Sequence, residues 1–314
     1  MSKERTSGTG KSTARGRLPG FRDFNPDDAA PPCDEAGADL QLTYLGTAGF
    51  VLEKADRCLV LDPYVTRSSA WETLTHPLVP DAALIAQLIP RADEVLVGHA
   101  HYDHVLDAPV LCQQTGARLI GSEAVMHVAR AAGVAEAQLC PLQGSSEVAC
   151  GTWRVRSLVS RNGKAIFGRV PFPGDISAPP PWPPRVHQLR HGQVFNWWID
   201  AAGFRLVHID SADFFTEQLQ GLQADIVCLC TVGRQHRPHY VRDVVEQLRP
   251  RYILPCHWDT MMTPIQEPAQ LIPGVDLPGM VREIEAMGVI PLVTPLLGVH
   301  RFCTTAATSA DWRR

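Results

Sequence analysis

The segment His99-Ala100-His101-Tyr102-Asp103-His104 constrains this chain more than any other. It holds three imidazoles and a carboxylate, and it follows Glu94-Val95-Leu96-Val97-Gly98, which reads as a buried strand stopped at a glycine. Side chains placed just past a strand end sit at the rim of a rigid sheet, where solvent and small molecules reach them. The fold must therefore present this turn at a sheet edge and surround it with partners for four potential ligands. Neutral imidazole and carboxylate are donors that Zn²⁺, Fe and Mn²⁺ accept. The alternative, a solvated turn rich in histidine, gives Asp103 no reason to stand among them.

The remainder must supply a core around that turn. A chain of 314 residues suits one large domain or two small ones, and 45% hydrophobic residues can bury a sizeable core. A formal net charge of −4 gives no global attraction to nucleic acid, so no such partner is expected. The nine cysteines show no zinc-ribbon spacing, and the length argues against a disulfide scaffold, so reduced thiols in a cytoplasmic protein are expected. The basic N-terminus lacks the apolar stretch of a secretory signal, and no run of about 18 apolar residues suggests a transmembrane segment.

Residues 1–37 are rich in Gly, Ser, Pro and charge without periodicity, and read as a disordered tail. Within it, Gly8-Thr9-Gly10-Lys11-Ser12-Thr13 imitates a phosphate loop, but Arg5 stands where the first glycine belongs and no strand precedes it. One domain is expected over 38–305, followed by a tail over 306–314. Strands near the start, at Leu40–Tyr44, Phe50–Leu52 and Cys58–Leu61, suggest a β-meander. Helices are expected at 81–89, 107–114 and 123–132, and strands at 118–121, 137–140, 147–150 and 153–159. Seven prolines over 163–190 rule out regular structure in most of that insertion. A hairpin around Ala201-Ala202-Gly203 follows, then helix 214–222, strand 225–230, helix 239–248 and strand 251–255. Composition and pattern alone say α+β or α/β.

Two later strand ends carry further candidate ligands. One is Leu254-Pro255-Cys256-His257-Trp258-Asp259-Thr260; the other is Val207-His208-Ile209-Asp210-Ser211, with Asp213 a competitor for Asp210. A lone structural histidine and a turn-capping aspartate are the alternatives. Strand alternation points His208 to the same face as Asp210.

HxHxDH after an apolar strand resembles the signature of the metallo-β-lactamase superfamily. Gly46-Thr47-Ala48-Gly49-Phe50, Leu61-Asp62-Pro63, the Tyr between His101 and Asp103, and Pro255-Cys256-His257 extend the likeness from about Leu40 to Thr260. These elements are most similar to the branch holding the ascorbate-6-phosphate lactonases and the N-acyl-phosphatidylethanolamine phospholipase D enzymes. The resemblance implies an αββα sandwich of two mixed β-sheets with helices on the outer faces. It implies a metal centre of His99, His101, Asp103, His104, Asp210 and His257, holding one or two Zn²⁺, or Fe or Mn²⁺, with Asp210 as the bridging carboxylate. Asp62 would support the metal histidines, and Asp107 could do the same, although a helix cap explains Asp107 as well.

The chain departs from the family's pattern at Asn162, where a third histidine is expected for the site of His99 and His101. An amide oxygen is a poor zinc ligand beside imidazole, so His187, His191 or His208 could replace it. His236 and His239 are candidate substrate contacts. The chemistry implied is hydrolysis of an ester, lactone or phosphodiester by a metal-bound hydroxide held by Asp103 and Asp210. Phe172, Trp182, Phe195 and one of Trp197 and Trp198 could build an apolar lip for a small-molecule or lipid-like substrate. The alternatives are an iron-dependent redox member and a degenerate member serving as a binding scaffold.

Overall fold

Side-chain alternation decides the layering of the computed structural model, which describes residues 20–304 except Ile166. The first half supplies β1 (Arg22–Asp23), β2 (Leu40–Gly46), β3 (Gly49–Lys54), β4 (Arg57–Leu61), β5 (Glu94–Leu96), β6 (Arg118–Gly121) and β7 (Leu139–Pro141). The second half supplies β8 (Glu147–Cys150), β9 (Trp153–Ser160), β10 (Val194–Ala201), β11 (Phe204–Ile209), β12 (Ile226–Cys230), β13 (Tyr252–Cys256), β14 (Gln270–Leu271), β15 (Ile290–Pro291) and β16 (Val299–Phe302). The helices are α1 (Ala70–Thr75), α2 (Ala82–Leu88), α3 (Tyr102–Val105), α4 (Ala108–Thr115), α5 (Glu123–Ala131), α6 (Thr216–Leu219), α7 (Tyr240–Leu248) and α8 (Leu277–Ala286).

Two seven-stranded sheets form, in the orders β16-β2-β3-β4-β5-β6-β7 and β15-β13-β12-β11-β10-β9-β8. Each is antiparallel on one side and parallel on the other: β4 to β7 run parallel in the first sheet, and β11, β12, β13 and β15 in the second. On β4, Leu59 and Leu61 face the second sheet and meet Trp197, Leu206 and Leu254, whereas Cys58 and Val60 face α2, α4 and α5. On β12, Cys228 faces inward while Val227 and Leu229 pack on α7 and α8. The result is the expected αββα sandwich, a central core between the sheets and a helical layer on each outer face. Cys58, Cys112, Cys150, Cys228, Cys230 and Cys256 are free thiols buried in these cores.

Several expectations need correction. The tail predicted over 1–37 is ordered from Gly20 onward; residues 1–19, with the phosphate-loop lookalike, and the tail at 306–314 lie outside the described residues. β1 pairs with β14, and buried Phe24 lies against Trp258 with ring centroids 4.4 Å apart. Glu35 accepts hydrogen bonds from Arg251 and from the Tyr252 hydroxyl, tying the segment to β13. These contacts join residues more than 200 positions apart, which no local periodicity can reveal. The helix expected at 214–222 shrinks to the single turn α6. The insertion contains only the 3₁₀ turn Val186–Gln188 as regular structure among its described residues, yet Ile176, Val186 and Leu189 anchor it in the helical layer of the first sheet.

Candidate metal centre

β5 ends at Leu96, and the chain then turns through Gly98, whose N–H donates to Asp62 Oδ1 at 2.7 Å. A β-carbon at Gly98 would collide with the Asp210 carboxylate, so this close approach of backbone to side chain requires glycine. His101 caps the short helix α3, which turns Asp103 and His104 back toward the sheet rim. The Ala100 N–H donates to the His191 carbonyl at 2.9 Å, so the insertion braces the turn from outside.

The six residues expected in the centre converge from three strand ends, those of β5, β11 and β13, and all of them are buried. His99 Nδ1 lies 2.6 Å from Asp210 Oδ2, and His99 Nε2 lies 2.9 Å from His101 Nδ1. His257 Nε2 lies 3.2 Å from Asp103 Oδ2, and His104 Nε2 lies 3.7 Å from the same oxygen. Among the described residues, two sets have donor atoms mutually within 4.8 Å: His99, His104 and Asp210, and Asp103, His104 and His257. His104 belongs to both sets of the cluster but, with its Nδ1 hydrogen on Asp62, has a lone pair for only one cation. His101 stands at its edge, with Nε2 on the Pro171 carbonyl at 3.0 Å.

Burial, followed by the neighbouring imidazoles, pushes His99 and His104 well below the ordinary histidine range, leaving neutral rings with a lone pair to offer. His104 Nδ1 donates to Asp62 Oδ2 at 2.8 Å, which directs its Nε2 lone pair toward Asp103. Burial alone would raise Asp103, but His104 and His257 outweigh it and hold the carboxyl well below the usual range. Burial pushes Asp62 up, with the nearby Asp210 charge adding to it, and raises Asp210 as well. Asp210 Oδ1 and His257 Nδ1 are buried without a hydrogen-bond partner among the described residues. Three buried carboxylates among neutral imidazoles, with two orphaned polar atoms, form a site that fits one or two divalent cations.

His257 and Asp62 hold their side chains from left-handed backbone, at φ 54° and 39°. Such non-glycine conformations cost about 1–3 kcal/mol each and persist only where the surroundings enforce them. Around His257 the enforcing group is Asp259. Its carboxylate accepts from the Thr47 N–H at 2.9 Å, the Tyr44 hydroxyl at 2.5 Å and Arg67 Nη2 at 2.6 Å. The His257 N–H donates back to the Thr47 carbonyl at 2.5 Å, and Arg67 Nη1 donates to the Thr260 carbonyl at 3.1 Å. Arg67 and Asp259 are both fully buried. Sequence reasoning assigned neither; Asp259 two places after His257 was the available signal, and Arg67 offers none.

The other expected residues divide. Asp62 supports His104, and Asp210, not Asp213, enters the cluster; Asp213 is held outside by Arg161 and Arg237. Asn162 does reach the first histidine pair, with Nδ2 3.4 Å from His101 Nδ1 and Oδ1 accepting from the Ser211 hydroxyl at 3.2 Å. None of the proposed substitutes joins it. His187 is exposed on its 3₁₀ turn. His191 is 5.9 Å from the His101 ring, but its Nδ1 donates to the Gly192 carbonyl and its Nε2 accepts from the Gly174 N–H. His208 shares the face of Asp210 but sits two residues deeper, roughly 6–7 Å down the strand, and donates to the Ala48 carbonyl at 2.9 Å. Burial lowers His208 to about 4.

Asp107 does not support a histidine: it accepts from Val65 N–H, Thr66 N–H and the Thr66 hydroxyl, fixing the loop after β4. His236 and His239 are exposed and lie outside the cavity wall.

A cavity of about 290 Å³ opens over the cluster, with His99, His101, Asp103, His104, Asp210 and His257 in its wall. Its apolar side differs from the expected lip. Phe172 contributes, but Phe195 and Trp197 lie in the central core, Trp182 packs with the helical layer, and the Trp198 indole donates to the Gln223 carbonyl.

Residues 41–257 match the family model described as "Beta-lactamase superfamily domain". A metal-dependent hydrolase of Pyrobaculum arsenaticum is 24% identical over 233 residues, covering 73% of this chain and 88% of that protein. One of Anaeromyxobacter sp. (strain K) is 26% identical over 268 residues, covering 80% and 86%. Among solved structures, a metallo hydrolase of Ignicoccus hospitalis superposes with a TM-score of 0.56 at 15% identity, covering 84% of this chain and 98% of that one. A diiron β-hydroxylase of Streptomyces venezuelae also gives 0.56 at 15% identity, covering 84% and 54%. At these identities the structural likeness establishes the fold.

Proposed function

The chain belongs to the metallo-β-lactamase superfamily, and on that premise we propose that it is a hydrolase that breaks an ester, lactone or phosphodiester bond at a divalent metal centre. Relatives named metal-dependent hydrolases support the general activity. The observation that carries the reading is the buried meeting of His99, His101, Asp103, His104, Asp210 and His257 at the wall of one cavity. Within the superfamily we place the chain beside the ascorbate-6-phosphate lactonases and N-acyl-phosphatidylethanolamine phospholipase D enzymes, on the strength of Gly46–Phe50 and Tyr102.

Asp103, His104 and His257 would hold one cation, and His99 and Asp210, with His101 beside them, a second. The donor set of imidazole and carboxylate suits Zn²⁺, Fe or Mn²⁺. When bound, the cation makes water nucleophilic near neutral pH and polarises the oxygen of the scissile carbonyl or phosphoryl group. Asp103 remains ionised at the cavity wall and can orient an attacking water by accepting its hydrogen bond. Asp62 fixes the tautomer and orientation of His104, and the Asp259–Arg67 pair fixes the backbone that carries His257.

Full-length protein reconstituted with Zn²⁺, Fe²⁺ or Mn²⁺ should hydrolyse members of an ester, lactone and phosphodiester panel, and a chelator or His104→Ala should abolish turnover. Turnover unaffected by both would refute the metal-centre assignment.

A further inference from the structure

The walls of the cavity differ sharply from its floor. Apart from Tyr102 and Cys230, which burial keeps protonated, every ionisable side chain among the described lining residues belongs to the buried histidine and aspartate cluster, and none of them is a lysine or arginine. Arg67 is fully buried against Asp259, and Arg161 is drawn to Asp213 at 3.3 Å. An anionic group away from the metal positions would lose its hydration and meet no counter-charge among the described lining residues.

Beyond Thr73, Asn162, Ser211 and Thr260, the wall is apolar and comes from segments far apart in sequence, among them Phe21, Leu74, Phe172, Val186, Met261 and Met262. Phe21 arrives on the N-terminal arm, which is held in register by the pairing of β1 with β14 and by Phe24 on Trp258. Leu74 on α1 is 72% exposed and Trp71 on the same helix 71% exposed, so the apolar wall continues outward to solvent. At about 290 Å³ the cavity stands at the lower end of the range for ligand sites, which run from about 300 to 1,000 Å³.

We infer that the site takes a small substrate with no charge away from its scissile group and with one apolar arm, and that Phe21 and Leu74 are specificity-determining walls for that arm. The inference rests on the hydrolase reading and narrows it: a phosphorylated sugar or other substrate with a remote anion is excluded.

Alkyl hydroxamates, which bind a metal through their head group, test this on the metal-loaded full chain by titration calorimetry. Affinity should rise about fourfold per methylene from acetohydroxamate until the cavity fills, the equivalent of ~0.8 kcal/mol per buried CH₂. A terminal carboxylate on the arm should weaken binding at least tenfold. Phe21→Ala should flatten the chain-length dependence. Leu74→Lys, at an exposed position that folding tolerates, should narrow the gap between neutral and carboxylated arms. Equal affinity for neutral and carboxylated arms, or no chain-length dependence, overturns the inference and leaves the hydrolase reading standing. Failure of every hydroxamate to bind overturns the metal centre, and this inference with it.

Discussion

Replacing Asp259 by alanine tests whether the buried Arg67–Asp259 pair holds the His257 strand end. The substitution removes the acceptor of Arg67 Nη2, the Tyr44 hydroxyl and the Thr47 N–H at once, and strands a fully buried guanidinium. Tyr44 keeps the Thr47 carbonyl and Arg67 keeps the Thr260 carbonyl, so the loss is not total. Breaking a buried pair on one side costs about 3–5 kcal/mol. At about 2.1 cal/mol/K of unfolding entropy per residue, that is a fall of about 5–8 °C in the melting temperature of a domain spanning 20–304. Urea unfolding of Arg67→Met, Asp259→Ala and the double variant should show a coupling of about 1–3 kcal/mol, because removing both partners leaves no unpaired charge. Metal affinity should fall with Asp259→Ala, since His257 loses the backbone geometry that aims it. Additive single variants, or a cost of Asp259→Ala below about 1 kcal/mol, would refute this reasoning.

Asn162→His should raise metal content toward two per chain by elemental analysis, because position 162 already faces His101; an unchanged content would show that an imidazole there cannot reach a cation. Asp62→Ala should weaken metal binding by about ten- to a hundredfold by removing the acceptor that orients His104; an unchanged dissociation constant in a chelator competition would contradict it. His300 predicts an acid sensitivity unrelated to the metal. Its Nδ1 accepts from the Cys33 N–H at 3.0 Å and its Nε2 lies 2.7 Å from the Thr294 hydroxyl, which itself donates to the Leu292 carbonyl. Burial lowers His300 to about 4. The folded protein therefore binds fewer protons than the unfolded chain between about pH 6.5 and 4, and stability falls with pH through that window. His300→Asn should lose about 2 kcal/mol less stability than the parent between pH 7 and 5 in urea unfolding; identical losses would exclude His300.

What could be read from sequence follows the range of the interactions involved. The HAHYDH turn is local, and its dense ligands announce themselves beside an apolar strand. Asp62, Asp210 and His257 are legible because each stands where an apolar strand stops. Asp107 stands at a helix start just after His104, yet its partners are the loop residues Val65 and Thr66 some 40 positions earlier, so spacing alone misassigned it. Glu35, Phe24 and Phe21 lie in a segment whose composition suggests disorder; its order comes from Arg251, Trp258 and β14, contacts that only the folded chain creates. Trp197 and Phe195 face inward by alternation and fill the space between the sheets, which moves the apolar wall of the cavity to Leu74, Met261 and Met262. The strand β16 completes the first sheet beside β2 and lies beyond the stretch where family motifs guide the eye.

The most direct test of the account is divalent metal content per chain, measured by elemental analysis on full-length protein and on His104→Ala, the residue common to both sets of donor atoms. The account predicts at least one tightly held metal in the parent, retained through dialysis, and its loss from a folded His104→Ala. A parent that holds no metal even after addition of Zn²⁺, Fe²⁺ or Mn²⁺, or a His104→Ala variant that keeps its full complement, would contradict it.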